Sequence, residues 1–143
     1  RNSASGTYGF FKNVVLLDGD YRDSVNEQPG SSAVVQSVAT DLFGIGYSGI
    51  GYRTSGVRML ALSNEHGPIM YQPTFENAMN GNYPLARFLM VYVNRPPHGR
   101  MDPLTLEFLR YVLSRQGQQT VVDDRYFPLP ARLAAQQLAD LAQ

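Results

Sequence analysis

The chain has no cysteine. Disulfides, thiol catalysis and zinc–thiolate centres are therefore excluded, while the redox compartment stays open. It has no excess of either charge: twelve basic residues balance twelve acidic ones. A nucleic-acid binder would show a basic surplus or stripe, so no nucleic-acid partner is expected. No apolar run approaches the roughly 20 residues that span a bilayer, and no signal peptide is visible. Histidine is scarce. The two present, His66 and His98, stand beside glycine or proline in expected loops, without a metal-ligand spacing. No cofactor is expected.

What is there fits a folded protein. Apolar residues make up 43% of 143 and charged residues 17%, enough for a core and too apolar for disorder. Helices are legible at several points. Tyr8, Phe11 and Val15 recur at helical spacing, which predicts a helix over residues 7–17 capped by Ser5 or Thr7. The polar stretch DGDYRDSVNEQPGSS reads as a surface loop, with Asp18, Asp20 and Asp23 as solvated charges. Ser31 or Ser32 starts a second helix with Val34, Val35 and Val38 on its buried side. Asp102 and Pro103 open a helix with Leu106, Leu109 and Leu113 on one face, and Gly117 is expected to end it. Pro130 starts a last helix along which Ala134, Leu138 and Leu141 align.

Between the helices lie three expected strands: the glycine-laced FGIGYSGIGY, the short VRMLALS, and LARFLMVYV, an apolar run expected to be buried on both faces. Helices alternating with strands predict an α/β fold. Arg87 precedes the last run and is expected to pair with a neighbouring acid, a place facing a cleft being the alternative. The aromatic–proline stretch of Tyr71, Pro73, Phe75, Tyr83 and Pro84 is expected to pack as an irregular loop, an interaction surface being the alternative.

The opening segment RNSASGT carries the functional signal. The first N–H groups of a helix lack internal acceptors, and the helix dipole places partial positive charge there, so a tetrahedral anion fits. Gly6 allows close approach of backbone, Ser5 and Thr7 add hydroxyls, and Arg1 adds a planar fork for two oxygens. The segment has no carboxylate. The same residues also suit an ordinary helix cap, and the segment by itself leaves both readings open. Two other patterns carry less. Gly44, Gly46 and Gly49 spell G-x-G-x-x-G, but no helix is expected after them, as a dinucleotide site requires. Ser48 falls one glycine short of a nucleophile elbow and lacks a histidine partner, so no enzyme is expected.

Taken in order, RNSASGTYGFF, SSAVVQSVATDLFGIGYSGIGY, YPLARFLMVYVN, DPLTLEFLRYVLSRQGQ and YFPLPA resemble the later half of the phosphate-binding proteins of high-affinity phosphate ABC transporters. The resemblance runs over essentially the whole chain. It implies a type 2 periplasmic-binding-protein fold: two α/β lobes joined by crossing strands, with phosphate in the cleft. Residues 1–52 would belong to the second lobe, and residues 53–143 would return through the hinge to complete the first. It also implies that Arg1, Ser5, Gly6 and Thr7 bind phosphate. The family often has an acid two residues after the arginine, holding it; here Ser3 stands there, so another group would hold Arg1. The remaining ligands, hydroxyls at another helix start and an aspartate, would lie in an N-terminal half outside this chain. The chain would then be a fragment, or one piece of a nicked protein. The expected partners are inorganic phosphate, that N-terminal half and a membrane permease, and the expected location is periplasmic or otherwise outside the cytoplasm. A phosphate-responsive sensor of the same fold, or a phosphate-ester hydrolase, are the alternatives.

Overall fold

The computed structural model describes residues 1–63, 67–94 and 99–141. Both histidines lie outside the described residues. The chain divides into two compact units, Arg1–Phe88 and Leu89–Gln143.

In the first unit, helix α1 spans Gly6–Leu16, one residue earlier at each end than the periodicity predicts. Ser5 caps its start: the backbone there is extended and its hydroxyl oxygen accepts the Thr7 N–H. At the other end Leu17 and Asp18 both take left-handed φ angles, 51° and 65°, which stops the helix. The Asp18 carboxylate accepts from the Asn13 amide, and Asp20 pairs with Lys12 at 2.9 Å, so two of the three loop aspartates are tied back to α1 rather than simply solvated.

Helix α2 runs Ser31–Thr40 and buries Val34 and Val35, the face its spacing predicts. An aromatic stack supports α1. The Phe11 and Tyr47 rings lie 4.0 Å apart and nearly parallel, and Tyr8 and Tyr21 meet at 4.5 Å. The Tyr21 hydroxyl donates to the Tyr8 carbonyl at 3.0 Å and so accepts the proton of Tyr47 at 2.9 Å. Burial, and then the bond to Tyr21, hold the Tyr47 hydroxyl protonated well above the ordinary tyrosine range.

Three strand expectations fail within the described residues, and for one reason. FGIGYSGIGY is not laddered. It begins in a turn at Leu42–Phe43 and then lies against α2 at Gly46, where a Cβ would come within 2.9 Å of Val38 Cγ2 and 3.0 Å of Val34 Cγ1. The glycine lets backbone lie directly on the helix. The segment ends in a 3-10 turn, Ile50–Tyr52, with no α-helix following, so the dinucleotide pattern lacks its context. VRMLALS makes a single antiparallel bridge, Leu62 to Tyr71, with N···O distances of 3.0 and 2.8 Å. LARFLMVYV is extended but exposed rather than buried: Leu89 is 72% accessible and Tyr92 89%. A strand satisfies its N–H and C=O groups only through a neighbour, and among the described residues the Leu62–Tyr71 bridge is the one such pairing these segments make. What the structure holds of the expected α/β alternation is thus helices separated by extended chain.

The aromatic–proline stretch holds a helix that the sequence reading missed, α3, Phe75–Met79, capped by the Thr74 hydroxyl accepting the Asn77 N–H at 3.2 Å. Tyr83 closes this region by bonding its N–H to the Asn77 carbonyl and its hydroxyl to the Leu60 carbonyl.

The second unit is helical. Helix α4, Pro103–Leu113, starts as expected, with the Asp102 carboxylate accepting from the Thr105 N–H at 2.9 Å and Pro103 in the first turn. Gly117 does not end it. Ser114 does: its backbone is extended, its hydroxyl donates to the Tyr111 carbonyl, and the same oxygen accepts the Gly117 N–H to open α5, Arg115–Asp123. Gly117 is buried inside α5 against the carbonyls of Tyr111 and Val112, where any side chain would collide. Helix α6, Ala131–Leu141, buries Ala134, and α4, whose Leu109 is buried, packs on α5 and α6. The Gln118 amide locks the connection, donating to the Val112 carbonyl and accepting the Leu129 N–H.

Candidate anion-binding site

The opening segment forms a cap. Ser5 Oγ takes the Thr7 N–H at 3.2 Å, and the Ser5 carbonyl accepts from Tyr8 and Gly9. The N–H of Gly6, the first helical residue, has no acceptor within the helix, and no acidic residue occupies the first turn. Gly6 is exposed, Thr7 half-buried, and Ser5 only 8% accessible. The Ser5 hydroxyl proton is not consumed by its capping role, because the cap uses the oxygen as acceptor. A hydroxyl donor, an open amide and the positive end of the dipole thus coincide at one point.

Arg1 is held by a serine. Its Nη1 donates to Ser31 Oγ at 3.0 Å, and Ser31 is the first residue of α2 and buried. The Ser31 carbonyl in turn accepts from the Ser48 hydroxyl at 3.3 Å, which fixes the start of α2 against the glycine-rich segment. The residue before Ser31 is Gly30, so α2 has no side-chain cap at its start. Nε of Arg1 is buried without a protein partner. The structure therefore brings Arg1 to the beginning of α2, where Ser31 holds it. A hydroxyl carries no charge, so the guanidinium keeps its full positive charge.

Arg87 is a correction to the sequence reading. Neither ion pair among the described residues involves it. Its guanidinium lies 4.8 Å above the Phe10 ring, and its Nη2 stands 3.8 Å from where a Cβ on Gly6 would sit. No sequence signal marks this, since Arg87 is distant in the chain from Gly6 and Phe10.

No family model matches the chain. Whole proteins do match it, and the class they define is that of phosphate-binding proteins, as the resemblance in the sequence implies. Over 141 residues the chain is 55% identical to the phosphate-binding protein PstS of two strains of Pseudomonas aeruginosa, covering 99% of this chain and 44% of theirs. It is 29% identical over 143 residues to PstS of Staphylococcus epidermidis and of Staphylococcus aureus, covering 98% of this chain and 42% of those proteins. The chain thus spans less than half the length of the curated relatives it matches.

Proposed function

We propose that this chain is part of a solute-binding protein that captures inorganic phosphate in a cleft and delivers it to an ABC permease outside the cytoplasm. The observation that carries this reading is the 55% identity to a phosphate-binding protein along nearly the whole chain. It is supported by a segment rich in anion donors, placed at the start of α1 and free of carboxylates. In this reading Arg1 grips two phosphate oxygens, Ser5 and Thr7 donate hydroxyl hydrogen bonds, and Gly6 gives its N–H at close range. No bond is made or broken, so the protein is a carrier and not an enzyme.

The fold in this reading is a type 2 periplasmic binding protein, with residues 1–52 in the second lobe and 53–143 returning to the first. The remainder of a longer protein supplies the strands that pair with the extended segments and the remaining phosphate ligands. The exposed run from Phe88 to Val93 agrees with this, because such an apolar surface is stable only when covered.

The test is calorimetric titration of the full-length protein with phosphate, sulfate and arsenate, using Arg1→Ala as the comparison. Hydrogen bonds to charged groups contribute about 1.5–3 kcal/mol, so losing the guanidinium weakens phosphate binding by at least about tenfold. Equal affinity in the two proteins would refute the assignment.

A further inference from the structure

We propose that Arg87 is a second guanidinium of the phosphate site, carried on Phe10 and aimed at the amide end of α1; this rests on the phosphate reading above. Gly6 and Phe10 are four residues apart on α1, so they share one face, one above the other. Arg87 lies across that face. Its guanidinium carbon stands 4.8 Å from the Phe10 ring centroid, on an otherwise exposed side chain, and its Nη2 reaches the immediate surroundings of Gly6. The Gly6 N–H can donate to an oxygen of an anion, and Arg87 Nη2 stands beside the same residue, 3.8 Å from its would-be Cβ.

What holds Arg87 matters as much as where it is. An aromatic face attracts a cation through its quadrupole without neutralising it. With no carboxylate partner among the described residues, Arg87 retains its whole charge and its hydrogen-bond donors for an incoming anion. Gly6 has no side chain to stand between the two, so the amide and the guanidinium can face the same oxygen. Arg1, held by Ser31, and Arg87, held by Phe10, are two cations fixed by neutral groups. Such a pair favours tetrahedral oxyanions carrying two charges and accelerates their capture at low ionic strength.

The experiment uses the full-length protein and inorganic phosphate. Arg87→Gln lowers phosphate affinity by about tenfold, the loss expected for one charged contact. Arg87→Lys, which keeps charge but loses the planar fork of donors, falls between Gln and wild type. Phe10→Leu, which removes the supporting ring while keeping an apolar residue in α1, also weakens binding. A role confined to packing would change the melting temperature and leave salt dependence alone. Here the gap in association rate between wild type and Arg87→Gln is wide at about 0.01 M salt and closes towards about 1 M, as screening shortens. If wild type binds phosphate, Arg1→Ala does not, and Arg87→Gln binds like wild type at low salt, this inference is overturned while the phosphate reading stands. If wild type itself fails to bind phosphate, the underlying reading falls.

Discussion

Replacing Ser31 by alanine isolates how Arg1 is held. Ser31 Oγ lies 3.0 Å from Arg1 Nη1, and Ser31 is 9% accessible. A charge-assisted bond is worth about 1.5–3 kcal/mol, and Arg1 is only partly buried, which places this one near about 1.5 kcal/mol. The bond exists without a ligand, so in the phosphate reading proposed above its loss reaches affinity only through the loosening of Arg1, and about tenfold is the upper bound. The cost to folding is smaller. Gly30, not Ser31, is the cap residue of α2, and the Ser31 carbonyl still accepts from Ser48 in the variant. Melting of the full-length protein therefore shifts by no more than a few degrees, following from about 1 kcal/mol. Calorimetric titration with phosphate and scanning calorimetry on the same samples separate the two effects. Ser31→Thr keeps the hydroxyl and recovers most of the affinity. In an Arg1→Ala background Ser31→Ala has little further effect, because the bond it would remove is already gone. Wild-type affinity in Ser31→Ala, or losses from the two substitutions that simply add, would refute the idea that Ser31 acts through Arg1.

Two further expectations concern the second unit. Gly117→Ala drives a Cβ into the Tyr111 carbonyl, a backbone atom that cannot step aside, so α4 and α5 must separate at Ser114. Overpacking of this kind costs typically about 1–3 kcal/mol, and here the upper end is expected in a urea titration; an unchanged midpoint would contradict the packing described. The N–H of Thr105, and then its hydroxyl, hold the Asp102 carboxyl below its ordinary value of 3.8. Because the folded value is the lower one, this cap stabilises α4 fully above that pH and is lost as pH falls through the folded value. Helicity of the unit should therefore decline in acid below about 3.8 more steeply in wild type than in Asp102→Asn, which caps without titrating. Identical acid profiles by circular dichroism would count against the cap.

The helices were legible because their causes are local. Ser5 before α1, Asp102–Pro103 before α4 and Pro130 before α6 are start signals that act within a few residues. The buried valines of α2 follow from helical spacing alone. Helix α3 was missed because five residues give no periodicity, although Thr74 three residues before Asn77 was a readable cap. Gly117 was misread as a stop because glycine suits a helix end; the stop came from Ser114, whose hydroxyl serves both helices, and Gly117 is needed for close packing instead. The strands were not legible in the same way, since a ladder is a property of two segments, and among the described residues the expected strands make a single bridge, Leu62 to Tyr71.

The candidate site divides along the same line. The sequence by itself determined the donors of the RNSASGT segment, their place at a helix start and the absence of a carboxylate among them, because a cap and a dipole need only neighbouring residues. Only the tertiary structure decided which group holds Arg1 and where Arg87 stands. Ser31 is 30 residues from Arg1, and Phe10 lies in the first helix while Arg87 lies within the LARFLMVYV segment, beyond α3. Such meetings are set by how α1, α2 and the extended chain pack, and no local pattern of residue types encodes them.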